Sequence, residues 1–430
     1  MADSRASPGI LFTAFEPSGD ALAAPLIAAL REAVPGTPIY AFGGPRMAEA
    51  GATLLESTTD DPAMLLSAAR QAWLHRARLS RLKQWLNQHP LALAVPTDSP
   101  AANWGVCRSV RRLQPNARIV HLAAPQLWAW GGWRIRKLRR LTDRVLCLLP
   151  FEVDWFEARG VPATFVGHPL FAEAPAPNNT SPNDRTIGDP EQPPTTAGDP
   201  LLAQSTDGRF TGPRLAILPG SRPAEVQHNW PGQLEVFHRL RAEHPRLRAV
   251  VAAADRTRAG QIRELCPEGL LPRGMRLTVG QTASVLRWAE AVLVVSGTAS
   301  LQCVVHRVPM VIHYRVGKLA WHTAGRWVVR ARTFTLPNLI YQGLTAGRSH
   351  AVPELVPHFG EVEPIVDAMR PLLSPTEARR EQLAAFELIH RAYAGPPYTE
   401  RATNALLEHL PAEAAGAASQ HTPISTGSRG

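Results

Sequence analysis

Ile10-Leu-Phe-Thr-Ala-Phe-Glu-Pro-Ser-Gly-Asp20 reads as a β-strand that stops in a tight turn, and apolar residues at helical spacing follow it over Asp20–Glu32. Far along the chain the same figure returns as Leu215-Ala-Ile-Leu-Pro-Gly-Ser-Arg-Pro-Ala-Glu225. Strands passing directly into helices predict parallel sheets built from βα units. Around the first figure, strands are expected at Ile10–Phe15, Ile39–Phe42, Leu91–Val95, Arg118–Leu122, Arg144–Leu148 and Ala163–Val166. Around the second they are expected at Leu215–Leu218, Leu247–Ala253, Met275–Val279, Ala291–Val295 and Val308–Tyr314. Helical patterns lie between them, Glu152–Arg159 among them. The fold class is therefore α/β, with two doubly wound, Rossmann-like domains expected to face a cleft.

Between the halves, Ala172–Pro213 holds eight prolines and few large apolar residues. Such a stretch buries too little surface to offset its ordering entropy, so it is expected to be a flexible insert. The expected domains are 8–171, an insert at 172–213, a second domain at 214–410 and a disordered tail at 411–430.

The 430 residues are 45% apolar and 19% charged, which excludes disordered, collagen-like and coiled-coil classes. Cys107, Cys147, Cys266 and Cys303 are widely spaced, without a zinc pattern, so neither a metal nor a disulfide framework is expected. The start, Met-Ala-Asp-Ser-Arg-Ala-Ser-Pro, lacks the basic and apolar regions of a secretory signal, and no apolar run reaches spanning length. A cytoplasmic protein, soluble or peripheral to a membrane, is the expectation. A net charge of +10 suits an anionic partner: nucleic acid, an anionic membrane surface or a phosphorylated small molecule.

In doubly wound sheets, ligands bind at the carboxyl ends of strands, so the strand-to-helix turns are the places to search. In the first turn, Gly19 permits the tight bend, Ser18 can cap the next helix, and Glu16 places a carboxylate at the strand's end. A plain βα turn is the competing reading. In the second figure, Gly220, Ser221 and Arg222 join backbone N–H groups to a guanidinium, a combination that suits a diphosphate. Ser296-Gly-Thr-Ala-Ser-Leu-Gln302 follows another strand; Gly297 and Thr298 open a helix that carries Gln302 one turn further in. That turn suits a nucleotide's phosphates or ribose, against the alternative of an ordinary helix start. Asp98, just beyond the apolar strand Leu91–Val95, is the acid best placed to act as a general base, or else forms a turn.

Two segments mix aromatic and basic residues. Trp128, Trp130 and Trp133 run into Arg134, Arg136, Lys137, Arg139 and Arg140. Ala63–Trp85 combines Trp73, Leu74 and Trp85 with Arg70, Arg76, Arg78, Arg81 and Lys83. Both fit an interface with anionic lipid, and both fit buried helices with snorkelling cations. A nucleic-acid partner rests only on charge and tryptophan, and is not favoured.

The turns, in this order, resemble the lipid-A-disaccharide synthase family, inverting glycosyltransferases of the GT-B architecture. The resemblance is carried by Glu16-Pro-Ser-Gly-Asp20, Gly43-Gly-Pro-Arg-Met47, Asp98-Ser-Pro with Asn103, Ala124-Pro-Gln-Leu-Trp-Ala-Trp130 and Leu149-Pro-Phe-Glu152. It continues through Val166-Gly-His-Pro169, Leu218-Pro-Gly-Ser-Arg-Pro-Ala-Glu225, Ser296-Gly-Thr-Ala-Ser300 and Thr335-Leu-Pro-Asn-Leu339. It implies transfer of 2,3-diacylglucosamine from its UDP donor to the 6-hydroxyl of 2,3-diacylglucosamine 1-phosphate, at the cytoplasmic face of an anionic inner membrane. No cofactor is implied. Asp98 is then the base; Gly220, Ser221, Arg222, Gly297 and Thr298 hold UDP, and Gln302 meets the ribose. Glu16, Ser18 and Asn103 belong to the substrate site on the acceptor side, and Asn338 is a polar contact in the cleft. This sequence departs from the family pattern at Phe15, Pro17, Ala101, Ala102 and Gln302, and its M-G-x-x-E element is not recognisable near residues 62–70. Those departures leave open a non-catalytic UDP-sugar- or lipid-binding homologue, or a GT-B enzyme with another acceptor.

Overall fold

Every residue of β1 (Gly9–Thr13) and β4 (Leu91–Pro96) is buried, as expected of central strands covered on both faces. The computed structural model describes residues 7–59, 68–129, 131–172, 212–317 and 333–411. The first sheet adds β2 (Ile39–Gly43), β3 (Thr53–Ser57), β5 (Arg118–Leu122), β6 (Arg144–Cys147) and β7 (Ala163–Phe165). Its helices are α1 (Pro17–Ala33), α2 (Pro45–Glu49), α3 (Ala68–Leu86), α4 (Pro100–Leu113), α5 (Ile135–Leu141), α6 (Phe151–Glu157) and α7 (Pro169–Ala172).

The second sheet comprises β8 (Arg214–Leu218), β9 (Arg248–Ala253), β10 (Met275–Val279), β11 (Ala291–Val295), β12 (Met310–Arg315) and β13 (Glu354–His358). With it run α8 (Pro223–Glu243), α9 (Arg256–Glu264), α10 (Thr282–Trp288), α11 (Thr298–Val305), α12 (Leu336–Thr345), α13 (Glu363–Met369) and α14 (Glu377–Ala392). The last helix is α15 (Tyr398–Leu407).

All strand pairs are parallel. The strand orders are β3-β2-β1-β4-β5-β6-β7 and β10-β9-β8-β11-β12-β13. Both are the doubly wound order, in which the direction of winding reverses once, between β1 and β4 and between β8 and β11. Alternate residues of the first sheet serve its two faces. Ile10, Phe12, Leu93, Val95 and Val120 pack against α1, while Leu11, Ala94, Ile119 and Val145 pack against α3, α4, α5 and α6. In the second, Leu215, Ile217, Val251 and Leu293 meet Trp230, Phe237 and Leu240 of α8 and Val366 of α13.

The chain divides into Met1–Ala172 with Gly395–Gly430, and Glu173–Ala394. This corrects the expected second boundary at 410. Tyr398, Ala402, Ala405 and Leu406 of α15 are buried in the core of the first unit, and the Tyr398 hydroxyl donates to Leu22 O at 3.0 Å. Two strands escaped the sequence reading, β3 and β13, and both are sheet edges. The residues expected to form a flexible insert and a tail fall almost wholly outside the described residues, as do Trp130, the start of the Ala63–Trp85 segment and the 62–67 part of the unrecognised element.

Candidate active site

The four turns singled out from the sequence follow β1, β4, β8 and β11, the four strands that flank the two switch points. Side chains at those strand ends are free of the sheet's own hydrogen bonding, and the diverging helices leave room there for a ligand.

In the first unit, Asp98 and Ser99 hold left-handed backbone angles, with φ of 52° and 30°, and Ala123 on the neighbouring strand end has φ of 59°. Non-glycine residues in this region are strained, and such strain gathers at functional sites. Asn103, in the first turn of α4, is what holds the loop. Its Nδ2 donates to the carbonyls of Thr97 (3.0 Å) and Asp98 (2.9 Å), and its Oδ1 accepts from the Thr13 hydroxyl (2.6 Å). Asn103 is wholly buried, so it shapes this loop from beneath. The backbone of Asp98 is tied to β5 through its N–H and Leu122 O, at 3.0 Å.

Ser18 does not cap its helix. Pro17, with φ preset for the first helical position, starts α1 one residue earlier and makes Glu16 the N-cap. The freed Ser18 hydroxyl donates to Asp98 Oδ2 at 2.9 Å, and Ser99 Oγ donates to Glu16 Oε1 at 2.6 Å. Gly19 packs closely beside this contact: a Cβ there would stand 3.0 Å from Ala14 Cβ. Phe15 turns towards α3, edge-on to His75 with ring centroids 5.4 Å apart. Ser99 and His121 were not legible as parts of this site. His121 is wholly buried at the end of β5, its Nδ1 on Leu122 O and its Nε2 without a partner among the described residues. Burial holds its pKa down to about 4, so it stays neutral at physiological pH.

The loop after β5 carries Trp128, whose Nε1–H donates at 3.0 Å to Glu152 Oε1, while Leu149 N–H donates to Oε2 at 3.2 Å. Burial pushes the Glu152 carboxyl up to about 7, outweighing these donors and the Leu148 N–H. A folded pKa above the unfolded one means the native state holds the proton more tightly. That contribution to stability is complete below the unfolded carboxyl range and is lost as pH rises through about 7. Glu152→Gln is therefore expected to remove a loss on the order of 1–3 kcal/mol between pH 5 and 8. Thermal melts of both proteins across that range check this; parallel pH dependences would contradict it.

In the second unit, Gly220 (φ 111°) bends the chain so that Glu225 reaches back to its own helix start. Glu225 Oε2 accepts from Ser221 N–H (3.0 Å) and Arg222 N–H (3.1 Å), and Oε1 accepts from Arg222 Nη1 (3.0 Å). A Cβ on residue 220 would lie 2.7 Å from Glu225 Oε2. Two of the backbone donors expected to serve a diphosphate are thus engaged by Glu225, which the sequence reading gave no site role. The side chain of Arg222 remains 80% exposed. The start of α11 is more open, with Gly297 and Thr298 exposed and no side-chain cap. Gln302 is half-buried one turn on.

Asn338 is wholly buried rather than open to a ligand. Its Nδ2 donates to Glu354 Oε2 (2.8 Å) and Val352 O (3.1 Å), and its Oδ1 accepts from Val352 N–H (3.0 Å). Glu354, also unread in the sequence, accepts in addition from Thr335 Oγ and Phe334 N–H, each at 2.6 Å. Among the described residues no cluster of three or more His, Cys, Asp or Glu is arranged to hold a metal ion. No described helix is long and apolar enough to cross a membrane.

A family model described as lipid-A-disaccharide synthetase matches residues 10–196 and 207–392. The lipid-A-disaccharide synthase of Azotobacter vinelandii is 32% identical over 388 residues, covering 89% of this chain and 93% of that protein. That of Pseudomonas aeruginosa is 33% identical over 385 residues, with 89% and 93% covered. Among solved structures, UDP-GlcNAc 2-epimerase from Neisseria meningitidis bound to UDP-GlcNAc matches with TM-score 0.58 at 12% identity, covering 93% of this chain and 100% of that one. A ugt transferase from Siraitia grosvenorii in complex with UDP matches with TM-score 0.53 at 11% identity, with 93% and 98% covered. At such identities these structures speak for the fold alone, the pairing of two doubly wound domains that defines GT-B. On the family match and the two full-length relatives, the chain belongs to the lipid-A-disaccharide synthase family of glycosyltransferases.

Proposed function

We propose that this chain transfers 2,3-diacylglucosamine from UDP-2,3-diacylglucosamine to the 6-hydroxyl of 2,3-diacylglucosamine 1-phosphate, giving a β-1,6 disaccharide phosphate and UDP. The observation that carries the reading is Asp98: a carboxylate on a strained, clamped loop at a switch point, inside a chain of this family. Asp98 takes the proton of the acceptor hydroxyl. The oxygen's electron pair forms the new bond to the anomeric carbon, the bond to the diphosphate breaks, and UDP leaves with its electron pair. Attack from the face opposite the leaving group inverts the anomeric centre.

The charge growing on UDP is met by fixed donors, the N–H groups at the start of α11 and the exposed Arg222 guanidinium, a term that often exceeds that of the base. Gln302, one turn into α11, serves the ribose through its amide. Asn103 and Asn338 act through the backbone they hold rather than by touching substrate. UDP release measured with donor and acceptor together, and with donor alone, tests the reading. Release that needs both supports transfer; release from donor alone, or none at all, counts against it.

The same reading places the chain against an anionic membrane surface, where diacylated substrates lie. Trp73 on α3 is 66% exposed, and Trp133, in the 3-10 turn Gly132–Arg134, is 76% exposed. Exposed Arg76, Lys83, Arg136, Arg139 and Arg140 lie on the same segments. Aromatic side chains at the acyl boundary with cations at the headgroups are the usual means of interfacial binding. Replacing Trp73 and Trp133 together by Ala is expected to weaken pelleting with phosphatidylglycerol-containing vesicles about tenfold or more. Undiminished pelleting would show that these tryptophans are not the docking groups.

A further inference from the structure

Two hydrogen bonds cross between the β1–α1 and β4–α4 turns: Ser18 to Asp98, and Ser99 to Glu16. Each turn supplies one carboxylate and one hydroxyl, and each hydroxyl serves the carboxylate of the other turn. Ser99 is the N-cap of α4 and Ser18 lies in the first turn of α1, yet neither helix has a side-chain cap. A serine hydroxyl at a helix start ordinarily satisfies its own helix. Here both are redirected to side chains.

A donor fixed on Oδ2 sets the rotation of the Asp98 carboxylate and leaves Oδ1 without a hydrogen bond to any described residue. The strained backbone fixes where the carboxylate stands, and the Ser18 hydroxyl fixes which oxygen it presents. Orientation at this level governs rate, because small misplacements of a reacting group cost orders of magnitude. The titratable group coupled to Asp98 from a neighbouring element is His121, at the end of β5, while Glu16 on the first turn is bound by Ser99. No hydrogen bond joins His121 to Asp98, so Ser18 is the one donor on this carboxylate among the described residues.

We propose that Ser18 is a positioning residue for the base, holding Asp98 Oδ2 so that Oδ1 receives the acceptor's proton, with Ser99 fixing Glu16 as the reciprocal half of the clasp. The inference rests on Asp98 being the base, and its test separates the two. kcat, KM and the pH–rate profile are measured for Ser18→Ala, Ser18→Thr, Asp98→Asn and the Ser18→Ala/Asp98→Asn double variant. Ser18→Ala is expected to lower kcat about 10–100-fold with little change in KM for either substrate. The acidic limb of its profile moves to higher pH, since a carboxylate that has lost a donor holds its proton more tightly. Ser18→Thr, which keeps the hydroxyl, regains most of the rate. In the Asp98→Asn background, loss of Ser18 has no further effect.

A Ser18→Ala enzyme with wild-type kcat and pH profile, beside an inactive Asp98→Asn, overturns this proposal alone. A full additional loss in the double variant does the same, because Ser18 would then act independently of Asp98. A fully active Asp98→Asn overturns the base reading and this proposal with it. Should Ser18→Ala fail to fold, Ser18→Cys, close in volume and a weaker donor, is read by the same criteria.

Discussion

Asp98→Asn is expected to lower kcat by about 10²–10⁴-fold, the usual contribution of a positioned general base. The substitution keeps the side chain's shape and its capacity to accept from Ser18, so the loop stays in place while the proton acceptor is lost. On the proposed reading UDP is held by residues of the second unit, so its affinity is expected to stay within about twofold of wild type. Single-turnover transfer and calorimetric titration with UDP, run on both proteins, separate the two effects. A parallel fall in rate and affinity would make Asp98 a structural residue.

Asn103→Ala should have the next largest effect, and on both stability and rate. It removes donors to two carbonyls and the acceptor of the Thr13 hydroxyl, in a site closed to water. Leaving such groups unpaired costs about 1–3 kcal/mol each before relaxation, so a net loss of about 2–4 kcal/mol is expected. With the clamp gone, the strained angles at Asp98 and Ser99 are expected to relax, and the Asp98 carboxylate to leave its position. The transfer rate should fall at least about 10²-fold at temperatures where the variant is still folded. Melting curves with rates taken well below the midpoint check this. Loss of stability with a normal rate would mean the loop keeps its shape without Asn103.

The doubly wound fold was legible because central parallel strands are covered on both faces and read as continuous apolar runs; Leu91–Val95 and Ala291–Val295 are of this kind. The edge strands were not. Thr53–Ser57 is half-exposed and polar at its ends, and Glu354–His358 carries Pro357. Neither has the alternation or the apolar density that marks a strand from sequence. The allegiance of α15 was equally hidden: its apolar face is plain in Tyr398, Ala402 and Leu406, but a local pattern does not say which sheet will bury it.

The turns of the candidate site stood out for a different reason. Glu16, Asp98, Gly220 and Gly297 each follow an apolar run, and their chemistry is unusual for a plain turn. What stayed hidden was which polar groups satisfy one another. Glu225 engages the very N–H groups that the turn seemed to offer to a diphosphate, and Glu354 saturates Asn338. Such pairings depend on folded distances of about 3 Å, for which residue spacing along the chain is no guide.

The mass of the product decides whether this chain carries out the transfer. Purified wild-type protein and Asp98→Asn are each incubated with UDP-2,3-diacylglucosamine and 2,3-diacylglucosamine 1-phosphate. The reading above predicts a tetra-acyl disaccharide monophosphate from wild type, and only a trace from Asp98→Asn. UDP binding without that product from wild type, or equal product from both proteins, would contradict it.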